Sequence, residues 1–87
     1  MTYIIKLTKQ AQKDYKKIKQ TNLLNKIIKI VNLIKLNPFD DSLSYEKLSG
    51  NLKNYYSRRI NIKHRFVYKV DEKKKTVLVL RMWTHYD

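Results

Sequence analysis

A change of hydrophobic period at Asn37-Pro38 constrains this chain more than any other feature. Upstream, apolar residues recur every three or four positions; downstream they alternate every second position. Proline offers no amide hydrogen and disfavours helix in the residue before it, so a helix has to stop there. Over residues 21–36, Leu24, Ile27, Ile28, Val31 and Ile34 make one apolar stripe, with Lys26 and Lys29 away from its centre, which predicts a helix. A shorter helix precedes it. Thr8 suits its N-cap, Leu7, Ala11, Tyr15 and Ile18 follow at helical spacing, and Lys9, Lys13, Lys16 and Lys17 fall largely outside. Residues 3–7 read as a short β-branched strand.

Beyond the proline, residues 54–61 and 64–71 predict two strands joined by a tight connection around Ile62-Lys63. Residues 71–76, with Lys73-Lys74-Lys75 at the tip, predict a turn into a last strand over 76–85. The lysine triplet reads first as a solvated hairpin tip. Three sequential strands with short turns make an antiparallel meander, and the first strand can pair on its edge. The expectation is an α+β fold, two N-terminal helices packed on a small, mainly antiparallel β-sheet. With 87 residues, one glycine and one proline, residues 1–87 are expected to form a single domain without linkers.

Strand alternation sorts the C-terminal residues by face. One economical assignment packs Leu78, Leu80, Met82, Phe66, Tyr68 and Val70 under the helices. The opposite face then presents Arg65, Arg81, Trp83 and His85 together, a basic and aromatic surface suited to single-stranded nucleic acid. Two guanidiniums beside an imidazole also suit phosphate chemistry. Taken singly, each of these is more ordinarily a surface charge or a packing residue. Glu46, in a loop or short strand before Gly50, is ordinarily a salt-bridge partner in so basic a chain. Only convergence would make them a site.

Charge narrows the partners. Twenty Lys and Arg oppose seven Asp and Glu, for a net +13, with +8 over residues 1–39 and +5 over residues 40–87. A small domain this positive expects a polyanion, an acidic protein, or both. Cysteine is absent, which removes disulfides, thiol nucleophiles and Cys-ligated zinc. His64, His85 and the scattered carboxylates show no metal-ligand spacing, Asp40-Asp41 alone is a poor magnesium site, and a single glycine leaves no phosphate-binding glycine loop. No metal and no cofactor is expected. No apolar stretch approaches the roughly 20 residues of a membrane span, and the N-terminal one is too short for a signal peptide, so a cytoplasmic protein without a membrane partner is expected. If such a chain cuts RNA, the RNA's own 2′-hydroxyl is the natural nucleophile.

Four blocks then converge on a known pattern. They are Tyr45-Glu46-Lys47-Leu48-Ser49-Gly50-Asn51-Leu52, Tyr56-Ser57-Arg58-Arg59-Ile60, His64-Arg65-Phe66-Val67-Tyr68 and His85-Tyr86. Together with Asn37-Pro38-Phe39 they resemble the Txe/YoeB toxins, the endoribonucleases of type II toxin–antitoxin modules within the RelE/ParE superfamily. The resemblance covers essentially the whole chain. It implies a ribosome-dependent mRNA endoribonuclease that cuts in the ribosomal A site and leaves a 2′,3′-cyclic phosphate and a 5′-hydroxyl. By the same resemblance Glu46 would be the general base, Arg65 the transition-state cation, His85 the general acid and Tyr86 a substrate-orienting residue. Arg59 matches an RNA-contacting position, and Arg58, Arg81 and Trp83 complete the expected RNA-binding set. The family's E-P-L-K element reads Glu46-Lys47-Leu48-Ser49 here, and Asp87 follows the His-Tyr pair.

The implied partners are a cognate acidic antitoxin, the ribosome and mRNA. The resemblance also implies homodimer formation, and operator DNA contacted only through the antitoxin complex. Two alternatives come from other classes. A RelE/ParE-fold toxin that poisons gyrase would lack the acid–base set of Glu46 and His85-Tyr86, and a non-catalytic RNA-binding module would not need Glu46. A DNA-binding repressor is poorly served, because neither helix shows a helix-turn-helix recognition pattern.

Overall fold

The computed structural model of the chain describes residues 2–42, 44–48, 55–61 and 63–82. Their elements run in chain order as strand β1 (Ile4–Leu7), helices α1 (Lys9–Ile18) and α2 (Leu24–Leu36), then strands β2 (Glu46–Lys47), β3 (Tyr55–Arg59), β4 (Arg65–Asp71) and β5 (Thr76–Arg81). These strands form one sheet in the order β1-β5-β4-β3-β2. The β3-β4-β5 meander is antiparallel, β2 joins its outer edge antiparallel to β3, and β1 pairs parallel to β5. The expected α+β arrangement is therefore present, with the N-terminal strand at an edge of the meander, beside β5.

Local chemistry explains where the elements begin and end. Thr8 caps α1: its Oγ1 accepts from the Ala11 amide at 3.1 Å and donates to the Leu80 carbonyl at 3.1 Å, which ties the helix start to β5. Thr21 lies outside α2, three residues before the observed start, because its hydroxyl serves the turn. It donates to the Ile18 carbonyl at 2.8 Å and accepts from the Leu23 amide at 3.1 Å. At the other end Asn37 leaves helical geometry, and its Oδ1 accepts from the Phe39 amide at 3.0 Å. Lys75, in the β4–β5 turn, adopts a φ of 52°.

The core forms between the helices and one face of the sheet. Ala11 and Ile18 of α1 and Ile27, Ile30 and Ile34 of α2 pack with Tyr56, Ile60, Phe66, Tyr68, Val70, Val77, Val79 and Met82. Two expectations need correction. Ile28 is 45% exposed and Ile30 takes the central position on α2, since the buried line runs 27-30-34 and Ile28 lies a third of a turn off it. On β5 the face assignment is inverted. The register pairs Val79 with Tyr68 and Val77 with Val70, so these two valines lie under the helices, while Leu78 pairs with Lys69 and is exposed.

Met82 nonetheless reaches the core, as expected, through an irregularity. The pairing passes from Tyr68 with Val79 to Val67 with Arg81, so Leu80 is an additional residue and the alternation changes phase after it. Strand β5 thus changes which face its residues serve just before the chain reaches residue 83. No helix among the described residues is long and apolar enough to cross a membrane.

Candidate active site on the open face of the sheet

Register determines what meets on the face away from the helices. Strand β2 sets Glu46 opposite Ser57, and β3 sets Ser57 opposite Val67 and Arg59 opposite Arg65. Side chains alternate along each strand, so Glu46, Ser57, Arg59 and Arg65 share one face while Tyr56, Arg58, Phe66 and Tyr68 share the other. The result is an open cleft of about 310 Å3 lined by Ser44, Tyr45, Glu46, Ser57, Arg59 and Arg65. That volume lies at the small end for ligand sites, on the scale of one nucleotide.

The cleft is charged, and one of its two arginines faces a carboxylate. Glu46 Oε2 lies 3.6 Å from Arg65 Nη1, with the glutamate side chain 68% exposed and the arginine 27%. Arg59 is exposed and makes no ion pair among the described residues. Two guanidiniums directly opposite each other on one sheet face repel, and an anion bridging them would relieve that repulsion. A carboxylate that accepts a proton, beside cations that stabilise developing negative charge, is the minimum a phosphodiester transfer asks of a protein. No group of three His, Cys, Asp or Glu that could hold a metal ion occurs among the described residues.

The remaining expected site residues separate into three groups. Arg58 is corrected: it is 1% exposed, on the helix-facing side of β3, and its guanidinium clasps the chain after Pro38. Nε donates to Tyr68 Oη at 3.1 Å, and Nη2 donates to the Pro38 carbonyl at 3.1 Å and the Asp40 carbonyl at 2.8 Å. The guanidinium also lies 4.9 Å from the centre of the Tyr45 ring. Burial pushes the Tyr68 phenol up to about 12, against the opposing pull of Arg58, so it stays protonated and donates to the Pro38 carbonyl at 2.8 Å. RNA cannot reach this arginine in this conformation. Its contribution is to hold Pro38, Asp40 and Tyr45 against the sheet, and Glu46 follows Tyr45 directly.

Arg81 lies apart from the cleft. Its Nε donates to Asp14 Oδ2 at 3.0 Å, and the same oxygen accepts from the Met82 amide at 3.1 Å. Asp14 is fully buried on α1, with Gln10 donating to its other oxygen at 3.0 Å. Burial alone would raise that carboxyl; the Met82 amide, Gln10 and Arg81 together outweigh it and bring it below its ordinary value. Trp83, His85 and Tyr86 lie outside the described residues.

Sequence reasoning missed Ser57, Ser44 and Tyr45 in the cleft and Asp14 beneath the end of β5. For Ser57 a signal existed. It stands two positions from Arg59, so strand alternation already set them on one face.

Comparison with known proteins places the fold and the sequence among relatives. Residues 7–86 match the family model described as the YoeB-like toxin of bacterial type II toxin-antitoxin system. Toxin YoeB of Synechocystis sp. is 37% identical over 75 residues, which span 86% of this chain and 78% of that protein. The fold is similar to that of the YoeB/ParE toxin from Agrobacterium tumefaciens, with a TM-score of 0.87 at 30% identity over 95% of this chain and 99% of that one. YoeB of Staphylococcus aureus is 36% identical over 97% of this chain and 98% of its own. It has been solved as a dimer, TM-score 0.82, and in a heterotetrameric complex with the antitoxin YefM, TM-score 0.81. With two helices on this mixed sheet and a match over nearly its whole length, the chain belongs to the YoeB-like toxins of bacterial type II toxin–antitoxin systems.

Proposed function

We propose that this toxin is a ribosome-dependent mRNA endoribonuclease that inhibits translation by cutting mRNA in the A site, without metal or cofactor. The observation that carries the reading is the cleft itself. An exposed Glu46 carboxylate sits 3.6 Å from Arg65, with Arg59 directly opposite that arginine. Glu46 takes the proton of the RNA 2′-hydroxyl as that oxygen attacks the adjacent phosphorus. Arg65 and Arg59 bear on the non-bridging oxygens as the phosphorane gains charge. His85 supplies a proton to the departing 5′-oxygen, and Tyr86 orients the nucleotide; both roles rest on the family resemblance. The P–O5′ bond breaks, and the products are a 2′,3′-cyclic phosphate and a 5′-hydroxyl.

Each positioned proton transfer contributes about 10²–10⁴-fold, and a cation aimed at the transition state a comparable factor. Arg81 and Trp83 remain in the proposed RNA-contacting set with Arg59, Arg81 as an outlying contact held by Asp14.

The net charge of +13 calls for an acidic partner, and the YefM complex of the Staphylococcus aureus relative supports an antitoxin in that role. Homodimer formation follows the dimer of the same relative, operator DNA is contacted through the antitoxin complex, and the toxin acts in the cytoplasm as one domain. The test is cleavage of a defined mRNA with and without programmed ribosomes, by wild type, Glu46→Gln and His85→Ala. Cutting that needs ribosomes and falls by at least about a hundredfold in both variants is the expected result. A cut that survives Glu46→Gln removes the base from this reading. Binding without any cut by the wild type leaves an RNA- or gyrase-directed binding toxin.

A further inference from the structure

Ser57 stands in the middle of β3, 2% exposed, and its hydroxyl has no hydrogen-bond partner among the described residues. Buried hydroxyls in folded proteins are almost always paired, so an unpaired one needs a reason. The surroundings sharpen the question. Its cross-strand neighbours are Glu46, whose carboxylate faces Arg65, and Val67, which has nothing to offer. Ser57 is nonetheless one of the residues lining the open cleft with Glu46, Arg59 and Arg65, its oxygen itself covered in this conformation.

We infer that the Ser57 hydroxyl is a substrate-binding donor that the RNA phosphate completes: Oγ–H donates to a non-bridging oxygen of the phosphodiester held between Arg59 and Arg65. This rests on the proposed endoribonuclease reading and deepens it. The charges select the ligand, because two guanidiniums in one small cleft admit an oxyanion and repel a cation. A hydroxyl adds to them what a guanidinium fork lacks, a short rotatable donor at the cleft floor. Among the described residues that donor is an unsatisfied group and a source of instability; with RNA bound it is paired. Stability and activity should therefore respond to Ser57 in opposite directions, which a packing role would not produce.

The experiment compares wild type with Ser57→Ala, which keeps the volume of the strand residue and removes only the hydroxyl, and with Ser57→Cys, whose thiol is a weak donor. Three quantities are read: the melting temperature of the free toxin, the single-turnover cleavage rate on programmed ribosomes, and affinity for a 2′-O-methyl RNA oligonucleotide that cannot be cut. Ser57→Ala should melt a few degrees higher than wild type. It should cut about tenfold more slowly and bind the oligonucleotide several-fold more weakly, with Ser57→Cys between. Wild-type cleavage and affinity in Ser57→Ala overturn the inference, and so does a lower melting temperature accompanying the loss. If wild type itself does not cut, the endoribonuclease reading fails separately. The affinity arm then decides on its own whether Ser57 meets a phosphate.

Discussion

Arg58→Lys distinguishes a structural clasp from an RNA contact. The guanidinium of Arg58 is 1% exposed and donates to Tyr68 Oη and to the carbonyls of Pro38 and Asp40 at 2.8–3.1 Å. A lysine ammonium carries its three donors on one nitrogen and lacks the fork that spans these acceptors, so it leaves one or two of them short. A hydrogen bond from a charged donor contributes about 1.5–3 kcal/mol, and part of the loss is offset because an ammonium here can draw nearer to solvent, so about 2–3 kcal/mol is the expected destabilisation. Against roughly 4–13 kcal/mol for a chain of this length, the variant folds but is much weakened. With a urea slope of about 1 kcal/mol/M, its unfolding midpoint should fall by about 2–3 M. Amide exchange should quicken over residues 39–42 and at Tyr45, because the clasp holds that segment beside β2. An unchanged midpoint, combined with weaker RNA binding whose salt slope has dropped by about one, would refute the reasoning and return Arg58 to the RNA-contacting set.

Two further outcomes follow from the charged groups. Asp14 is held below its ordinary carboxyl value, so its contribution to stability is complete above the unfolded pKa of about 3.9 and is lost as pH falls through the lower folded value. Asp14→Asn should therefore be less stable by about 1.5–3 kcal/mol at pH 7, with the gap to wild type closing below about pH 4 in a urea titration series; a gap that stays constant with pH would contradict this. Glu46→Gln, by contrast, breaks an exposed ion pair and should move the midpoint by less than about 1 kcal/mol, so that its loss of cleavage cannot be a folding defect. A calorimetric scan of the two proteins side by side checks it.

How much was legible in the sequence depends on whether the deciding interaction was local. Thr8 and Asn37-Pro38 end and begin elements through hydrogen bonds within a few residues, and both were readable. The order of the three meander strands followed from their short connections, but the pairing of Arg59 with Arg65 did not, because it depends on the register between β3 and β4. Leu78 and Leu80 were not readable, because the face of β5 depends on its register with β4 and on the additional residue Leu80, neither of which leaves a mark in one strand's composition. Asp14 left a faint one: it is the single acid in residues 1–39 and falls between Ala11 and Ile18 at the i+3, i+4 spacing of the buried face. Arg58 and Arg59 are adjacent and chemically identical, yet alternation sends one into the core and the other into the cleft. The family resemblance led both into the expected RNA-binding set; only the neighbours Tyr56 and Ile60, apolar at i±2, marked Arg58 as facing inward.

The central claim is that Glu46 and its arginines assist attack by the substrate's own 2′-oxygen. It is tested most directly by a single 2′-deoxy substitution at the scissile nucleotide of an mRNA presented on programmed ribosomes, with end-group analysis of the unmodified control. The account predicts no cut at the deoxy position, and in the control a 2′,3′-cyclic phosphate facing a 5′-hydroxyl. Cleavage that persists at the deoxy nucleotide, or a control product ending in a 5′-phosphate, would contradict it.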